Sequence, residues 1–462
     1  MNQDTICALA TPNGTGALAI IRISGHEAIA VAGRAFTGAK LTEAPSHTVH
    51  YGYIQDDGEP VDEVMVSVFR APRTFTGEDS VEITCHGSPF IASKISEVLL
   101  KNGARTAKPG EFTMRAFMNG RIDLAQAESV ADLIAAENEA SRKVALNQLK
   151  GGISNEISVL RGELLNFTSL IELELDFAEE DVEFADRSVM MRLISNLKSQ
   201  ISNLLESFQY GNAVKNGVDV AIIGKPNAGK STLLNALLKE ERAIVSDIAG
   251  TTRDTIEEVL HIEGNAFRFI DTAGIRETSD TIEAIGVKKA KQKIDSAKIL
   301  LYLYDTVDST PNEVISFIKE VYRPDLKVIL LHNKIDLLPS GQHDSFEEQL
   351  KAALFPKFTE TIIPLSAKQG IGLDAIKSEL TAYVESLKTS ESTVITNQRH
   401  YEALKKSLHS VERVENAVNS GIHTELLAYE LRQALEHLGE ISGEFTNDEV
   451  LGNIFSKFCI GK

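Results

Sequence analysis

The stretch "VDVAIIGKPNAGKSTLLNALLKE", residues 218–240, decides the fold of its part of the chain. It opens on a β-branched run, passes through G-x-x-x-x-G-K-[ST] at 224–231, and continues with apolar residues at helical spacing. A strand, a glycine-rich turn and a helix N-terminus in that order surround an anion with backbone N–H groups. In such a loop Lys230 reaches the β/γ-phosphate oxygens and the Ser231 hydroxyl binds Mg²⁺. Asn227, Ala228, Gly229 and Thr232 complete the cradle. Alone, the match would also suit an ATPase.

Working outward, "GTTRD" (250–254), "DTAG" (271–274), "NKID" (333–336) and "SAK" (366–368) follow in order. Each falls in a loop or at the C-terminal end of a predicted strand, where an α/β sheet places its ligands. "NKID" selects the base. The Asp336 carboxylate can accept from the N1–H and the 2-amino group of guanine, a donor pair that adenine lacks. Asn333 and the Lys334 stem support the ring, and the Ala367 backbone, between Ser366 and Lys368, meets the guanine oxygen. Thr252 completes the Mg²⁺ shell, and Asp271, leading Thr272, Ala273 and Gly274, holds the ion through water. The pattern implies a GTP site.

Around this core the periodicity changes twice. Short buried strands alternate with helices over 217–388, the pattern of a doubly wound parallel sheet and a Ras-like P-loop domain. Residues 1–118 read as α+β, with strands at "ALAIIRIS" (17–24), "DEVMVSVFR" (62–70) and "SVEITC" (80–85) and a helix at 89–103. Residues 119–216 and 389–462 repeat apolar positions every three to four residues. The expected architecture is multidomain, α/β and α+β, with an all-helical domain split around an inserted G domain.

Composition bounds the rest. A chain of 462 residues, 43% hydrophobic and 24% charged, suits a soluble protein of two or three domains. Three scattered cysteines, with no C-x-x-C pair, suggest neither a disulfide framework nor a zinc site, and fit a reducing cytoplasm. No apolar run approaches a membrane span. A net charge of −19 opposes broad electrostatic binding of nucleic acid. One basic cluster, Lys101, Arg105, Lys108, Arg115 and Arg121 against the single acid Glu111, is a candidate RNA patch. The acidic run at 171–184 reads as a solvated helix end and loop.

"DTAGIRE" (271–277) poses the catalytic question. Ras-type GTPases follow this glycine with a glutamine that orients the attacking water, and here the residue is Ile275. Arg253 and Arg276 flank the switches as candidate fingers. Asn227 could instead hold a monovalent cation against the phosphates through its side-chain oxygen.

The phosphate loop with Asn227, "GTTRD", "DTAGIRE", the split helical region and the terminal "FCIGK" together resemble the bacterial tRNA modification GTPases of the MnmE, or TrmE, family. The likeness covers essentially the whole chain. The N-terminal region and C-x-G-K are its most specific parts, because other GTPases share the G motifs. The resemblance implies K⁺-dependent GTP hydrolysis, activated when two G domains meet. It assigns K⁺ to Asn227, Ser246, Ile248 and Thr251, extends the nucleotide contacts over Asp247, Ala249 and Gly250, and makes Glu283 a catalytic residue with Asn227 and Lys230.

It further implies a 5-formyl-tetrahydrofolate or related one-carbon donor, bound by Arg22, Glu82, Arg121 and Lys462 in a homodimer of N-terminal domains. Arginine and lysine suit folate carboxylates, and glutamate suits the pterin donors. Relatives often carry lysine where Arg121 stands. Cys459 is a possible modification-site residue on a tail that folds toward the folate site. The implied partners are tRNA and the FAD protein MnmG (GidA), which acts with this family at C5 of the wobble uridine, adding an aminomethyl or carboxymethylaminomethyl group. No G-x-G-x-x-G occurs here, so FAD and NADH would belong to that partner. Two rival readings are a ribosome-assembly GTPase switch of the Era or Der type, and a folate-binding scaffold whose GTP site controls shape. Neither a GXXG loop nor a second set of G motifs supports the former.

Overall fold

The computed structural model describes residues 4–176, 187–242, 258–270, 294–337, 344–359, 361–388, 393–420, 424–446 and 448–461. The chain divides into two compact units. One comprises residues 1–135, 145–199 and 402–462, the other 136–144 and 200–401.

The first unit opens with a seven-stranded sheet in the order β3-β4-β5-β6-β2-β1-β7. Its strands are β1 (Thr5–Leu9), β2 (Leu18–Ser24), β3 (Phe36–Thr37), β4 (Thr48–Asp56), β5 (Glu59–Phe69), β6 (Ser80–His86) and β7 (Ala104–Thr106). All neighbours are antiparallel except β1 and β7. Period-two alternation fixes the faces. Ile21, Ile23, Val64, Val66, Val68, Val81 and Ile83 are buried in one core with Val31 of α1 (Ala28–Ala35) and Ile95 and Leu99 of α2 (Pro89–Lys101). The intervening residues, Arg22 and Glu82 among them, share the opposite face, and register pairs Arg22 with Glu82 directly. A one-residue slip of β2 would turn Arg22 into the core and away from Glu82, so the apolar set also fixes this polar pair.

The chain continues through α3 (Glu111–Met118), α4 (Leu124–Ile134), α5 (Glu139–Leu149), α6 (Gly152–Asp176) and α7 (Arg187–Asn216). Asp123 starts α4 as a reciprocal capping box with Gln126.

The second unit holds a six-stranded sheet, β13-β12-β11-β8-β10-β9. Its strands are β8 (Val218–Gly224), β9 (Glu258–Ile262), β10 (Asn265–Phe269), β11 (Ile299–Tyr304), β12 (Lys327–His332) and β13 (Thr361–Pro364). From β13 to β10 the sheet is parallel, and β9 runs antiparallel at the edge. The expected parallel sheet therefore carries a hairpin strand at one edge, turned through Glu263 and Gly264, both at positive φ. Helices α8 (Lys230–Arg242) and α11 (Leu373–Ser386) bury Leu233, Leu237, Ile376 and Leu380 with Ile299, Leu301 and Leu303. On the other face α9 (Pro311–Val321) and α10 (Asp344–Leu354) bury Val314, Ile318, Leu350 and Leu354 with Leu300, Tyr302 and Tyr304. Strand β11 is thus buried on both sides, which is why its sequence is a continuous apolar run.

Helices α12 (Gln398–Asn419), α13 (Thr424–Ser442) and α14 (Asp448–Phe455) follow. In the first unit α13 packs along α6, and Phe455 and Phe458 are buried with Leu124 and Ala127 of α4. Among the described residues no helix is long and apolar enough to cross a membrane.

Candidate functional site

In the second unit β8 delivers its chain into the phosphate loop at Gly224, where a Cβ would collide with the Leu303 carbonyl of the adjacent strand. Asn227 and Gly229 adopt φ of 61° and 100°, left-handed values that turn the loop back on itself. Lys230 begins α8, and its Nζ donates to the Gly224 and Lys225 carbonyls, both at 2.8 Å. The loop is thereby stitched closed by the lysine whose head group serves phosphate in this motif.

Asn333 joins this loop to the base loops. Its Nδ2 donates to the Ala228 carbonyl at 2.7 Å, its Oδ1 accepts from the Ala367 N–H at 3.1 Å, and its own N–H donates to the Tyr304 carbonyl at 2.8 Å. The residue is 3% exposed, so an isolated amide there would be costly. Ser366 donates through Oγ to Asp336 Oδ1 at 2.7 Å, orienting an exposed carboxylate. Lys334, at φ 64°, sends its Nζ to Asp305 Oδ2 at 2.7 Å. Burial raises the Asp305 carboxyl, but the Lys334 ammonium and the Val307 and Asp308 N–H groups outweigh it and hold it below the ordinary value. The motifs thus meet at the C-terminal ends of β8, β12 and β13, the place an α/β sheet offers a ligand. A strand–loop–helix that a Cβ at Gly224 would block, with Lys230 at the helix start, fits a nucleotide phosphate.

The expected residues Ser246, Asp247, Ile248, Ala249, Gly250, Thr251, Thr252, Asp271, Thr272, Ala273, Gly274, Glu283 and Lys462 lie outside the described residues. Asn227, Ala228, Gly229, Asn333, Lys334, Asp336, Ser366, Ala367 and Lys368 fall in the described loops and turns around this point, and Lys230, Ser231 and Thr232 in the first turn of α8.

In the first unit, Arg22, Glu82 and Arg121 line one cavity of about 410 Å³, together with His47, Phe69, Arg73, Thr74, Phe75, Thr76 and Ser80. Arg22 donates from Nε and Nη2 to Glu82 Oε1 at 3.0 and 2.8 Å, and its guanidinium lies 5.8 Å from the ring centres of Phe75 and Phe112. Arg121 Nε donates to the Thr74 carbonyl at 3.1 Å, and Asn119 Nδ2 to the Thr76 carbonyl at 2.7 Å, fixing the 73–78 loop over the sheet. Three arginines against one carboxylate, with an aromatic wall, suit a flat anionic ligand. Sequence reading missed Arg73, His47 and Phe75. Only Phe75, an aromatic in the polar run "RTFTGEDS", carried a signal.

Three of the five residues of the basic cluster at 101–121 are paired with acids. Lys101 pairs with Asp56 at 3.0 Å, Arg105 with Asp4 and Glu111, and Arg115 with Asp4 at 2.9 Å and Glu78 at 3.2 Å. Besides the local Glu111, the neutralising acids Asp4, Asp56 and Glu78 come from distant strands and loops, so a local count could not see them. Cys85 and His86 part as β-alternation requires. Cys85 is buried, which pushes its thiol up to about 11, whereas His86 is exposed and bonds Asp62 at 2.8 Å. Cys459 is exposed; its carbonyl accepts from the Gly110 N–H at 3.4 Å. Gly461, at φ 96°, lies against Leu9 and Ala10 at the end of β1. The described part of this tail thus docks beside β1, and none of its residues lines the Arg22 cavity.

A phosphate loop tied through an asparagine to a guanine-selective motif, on a sheet wound on both faces, defines a P-loop GTPase of the Ras-like class. Two family models match the chain: "GTP-binding protein TrmE N-terminus" over residues 5–121 and "MnmE helical domain" over 124–459. The chain belongs to the MnmE (TrmE) family of tRNA modification GTPases. It is 50% identical to the tRNA modification GTPase MnmE of Flavobacterium johnsoniae, over all of both chains. It is also 50% identical to that of Cytophaga hutchinsonii, over all of this chain and 98% of the relative. Among solved structures, a variant of Aquifex aeolicus Era bound to GDP·AlF4⁻ is 29% identical over 42% of this chain and 66% of its own, with a TM-score of 0.28.

Proposed function

We propose that this GTP hydrolase of tRNA modification works with K⁺, a tetrahydrofolate one-carbon donor and the FAD protein MnmG to alter C5 of the wobble uridine in the cytoplasm. The observation that carries the folate part is the meeting of Arg22, Glu82 and Arg121 around one cavity with Phe75 on its wall. Arginines clamp carboxylates as two-pronged donors, and Glu82 has an acceptor oxygen beyond the one that Arg22 uses. Residues 1–118 supply the homodimer contact and most of this site, with Arg121 and Lys462 added to the ligand set. Val49, Tyr51, Tyr53 and Met65 stand 62%, 62%, 42% and 46% exposed on the outer sheet face, which supports a covered face in the dimer.

Residues 217–388 form the G domain, inserted between helical segments 119–216 and 389–462. Asn227 is exposed at the lip of the phosphate loop with its backbone turned left-handed, a position that suits an oxygen donor to a monovalent cation. Ser246, Ile248 and Thr251 complete that set, and Ser231 and Thr252 hold Mg²⁺, with Asp271 acting through water. A cation bound there supplies positive charge at the β–γ bridge, the service of an arginine finger worth on the order of 10³–10⁵ in rate in other GTPases. Glu283 orients the attacking water in place of the missing glutamine, and contact between two G domains activates the site. Cys459, exposed on the tail, serves as a modification-site residue.

Turnover in K⁺ against Na⁺ at equal ionic strength, for the native chain and Asn227→Ala, tests the cation. Equal rates in both salts, or full K⁺ stimulation in the variant, would refute it. Calorimetric titration of 5-formyl-tetrahydrofolate into the native chain and Arg121→Ala tests the cavity, where unchanged affinity would remove it from the account. Mass spectrometry of tRNA nucleosides from a deletion strain reads the product directly.

A further inference from the structure

The loop after β11, residues 305–309, receives a lysine from each half of the nucleotide site. From the base side Lys334 reaches Asp305 Oδ2 at 2.7 Å and Asp308 Oδ2 at 3.6 Å. From the phosphate side Lys225 Nζ donates to the Asp308 carbonyl and to Glu313 Oε2, each at 2.8 Å. Glu313 belongs to the capping box that starts α9 at Thr310, so the second anchor is itself fixed. The Lys225 carbonyl is in turn one of the two that hold Lys230.

Asp305 is the buried member of this set, 2% exposed. Its Oδ1 accepts from the Val307 and Asp308 N–H groups at 3.0 and 2.7 Å, which leaves Oδ2 to Lys334. Lys334 needs such a tether, because its φ of 64° lies in the left-handed region that non-glycine residues avoid. That residue stands between Asn333, which links the phosphate loop to Ala367, and Asp336, which reads the base.

We propose that Asp305 is a positioning residue for guanine-nucleotide binding. It acts through Lys334 to hold the base loop in its bound geometry, and its loop ties that geometry to the phosphate loop through Lys225. The inference rests on the reading of this site as a GTP site. Neither Asp305 nor its loop is required to touch the nucleotide.

Asp305→Asn keeps an oxygen for the two N–H groups and replaces the oxygen that Lys334 pairs with by an amide NH2, removing both the charge and the acceptor on that side. We expect Kd for GDP and for GTP to rise together by about tenfold, the scale of one charge-assisted hydrogen bond. The kcat at saturating GTP is expected to stay within about twofold and the preference for GTP over ITP to stay unchanged, because Asp336 is untouched. In a Lys334→Met background the same substitution is expected to add less than about twofold, the signature of a coupled pair.

Unchanged Kd, a loss confined to kcat, or full additivity with Lys334→Met would overturn the proposal. A purely structural role would lower the melting temperature and leave Kd alone. Should Asp305→Asn be recovered unfolded, the more exposed Asp308→Asn carries the test: a rise of about twofold supports the proposal, and none overturns it. A native chain that binds no guanine nucleotide would instead defeat the reading of the site itself.

Discussion

Replacing Gly229 by alanine tests the junction on which the nucleotide site depends. Two separate costs follow from the structure. At φ 100° an alanine is held in a region that L-residues avoid, at about 1–2 kcal/mol. Its Cβ would also be driven into Asn333 Nδ2, a buried atom fixed by the Ala228 carbonyl at 2.7 Å. If Asn333 yields, it gives up that bond and the one from the Ala367 N–H, each worth about 0.5–1.5 kcal/mol. The sum is about 3 kcal/mol, which is on the order of a hundredfold in nucleotide affinity if the bound state needs the native loop. Titration with a fluorescent GDP analogue reads this directly. Melting with and without GDP separates lost binding from lost folding, since the second unit keeps its sheet and both flanking helical layers. Binding within about threefold of the native chain would show that Asn333 does not couple the phosphate and base loops, and the account of the site would fail with it.

Three further expectations concern folding and the tail. Tyr304 is buried with its hydroxyl unpartnered, yet its ring stacks on His332 at 5.0 Å and Phe346 at 5.4 Å. Tyr304→Phe keeps the stack and removes the orphan, so denaturant unfolding should show a gain of about 1 kcal/mol; a loss of that size would contradict the packing described. Burial raises the Glu111 carboxyl, but hydrogen bonds from Arg105, the Lys108 N–H and Arg115 hold it below 4.5. A depressed carboxyl contributes stability above its unfolded value and loses it as pH falls through the folded one. The urea midpoint of the first unit should therefore drop below pH 4.5, less steeply in Glu111→Gln; identical slopes would exclude Glu111 as a cause. Gly461→Ala places a Cβ against the Leu9 carbonyl and 3.1 Å from Ala10 Cα, so the last residues must lift. Because Phe455 and Phe458 remain buried, melting should scarcely move while carboxypeptidase trims the tail faster, and an unchanged trimming rate would argue against its docking.

The phosphate loop and the base motif were legible in the sequence because their chemistry is local. Backbone N–H groups at a helix start, a lysine one position on, and a carboxylate two residues past another lysine need only a strand and a turn to become a site. The buried strands of the second unit were equally plain, since burial on two faces leaves an uninterrupted apolar run. Tertiary structure decided what depends on distant partners. Arg22 and Glu82 lie 60 positions apart and meet only because β2 and β6 pair in one register. Arg105 and Arg115 were neutralised once Asp4 and Glu78 were folded onto them. Asp305 gained a role only when the left-handed turn at Lys334 aimed an ammonium at it. Spacing along the chain reports what a residue can do, whereas the neutralising and orienting charges reach it through space, and only the fold brings them there.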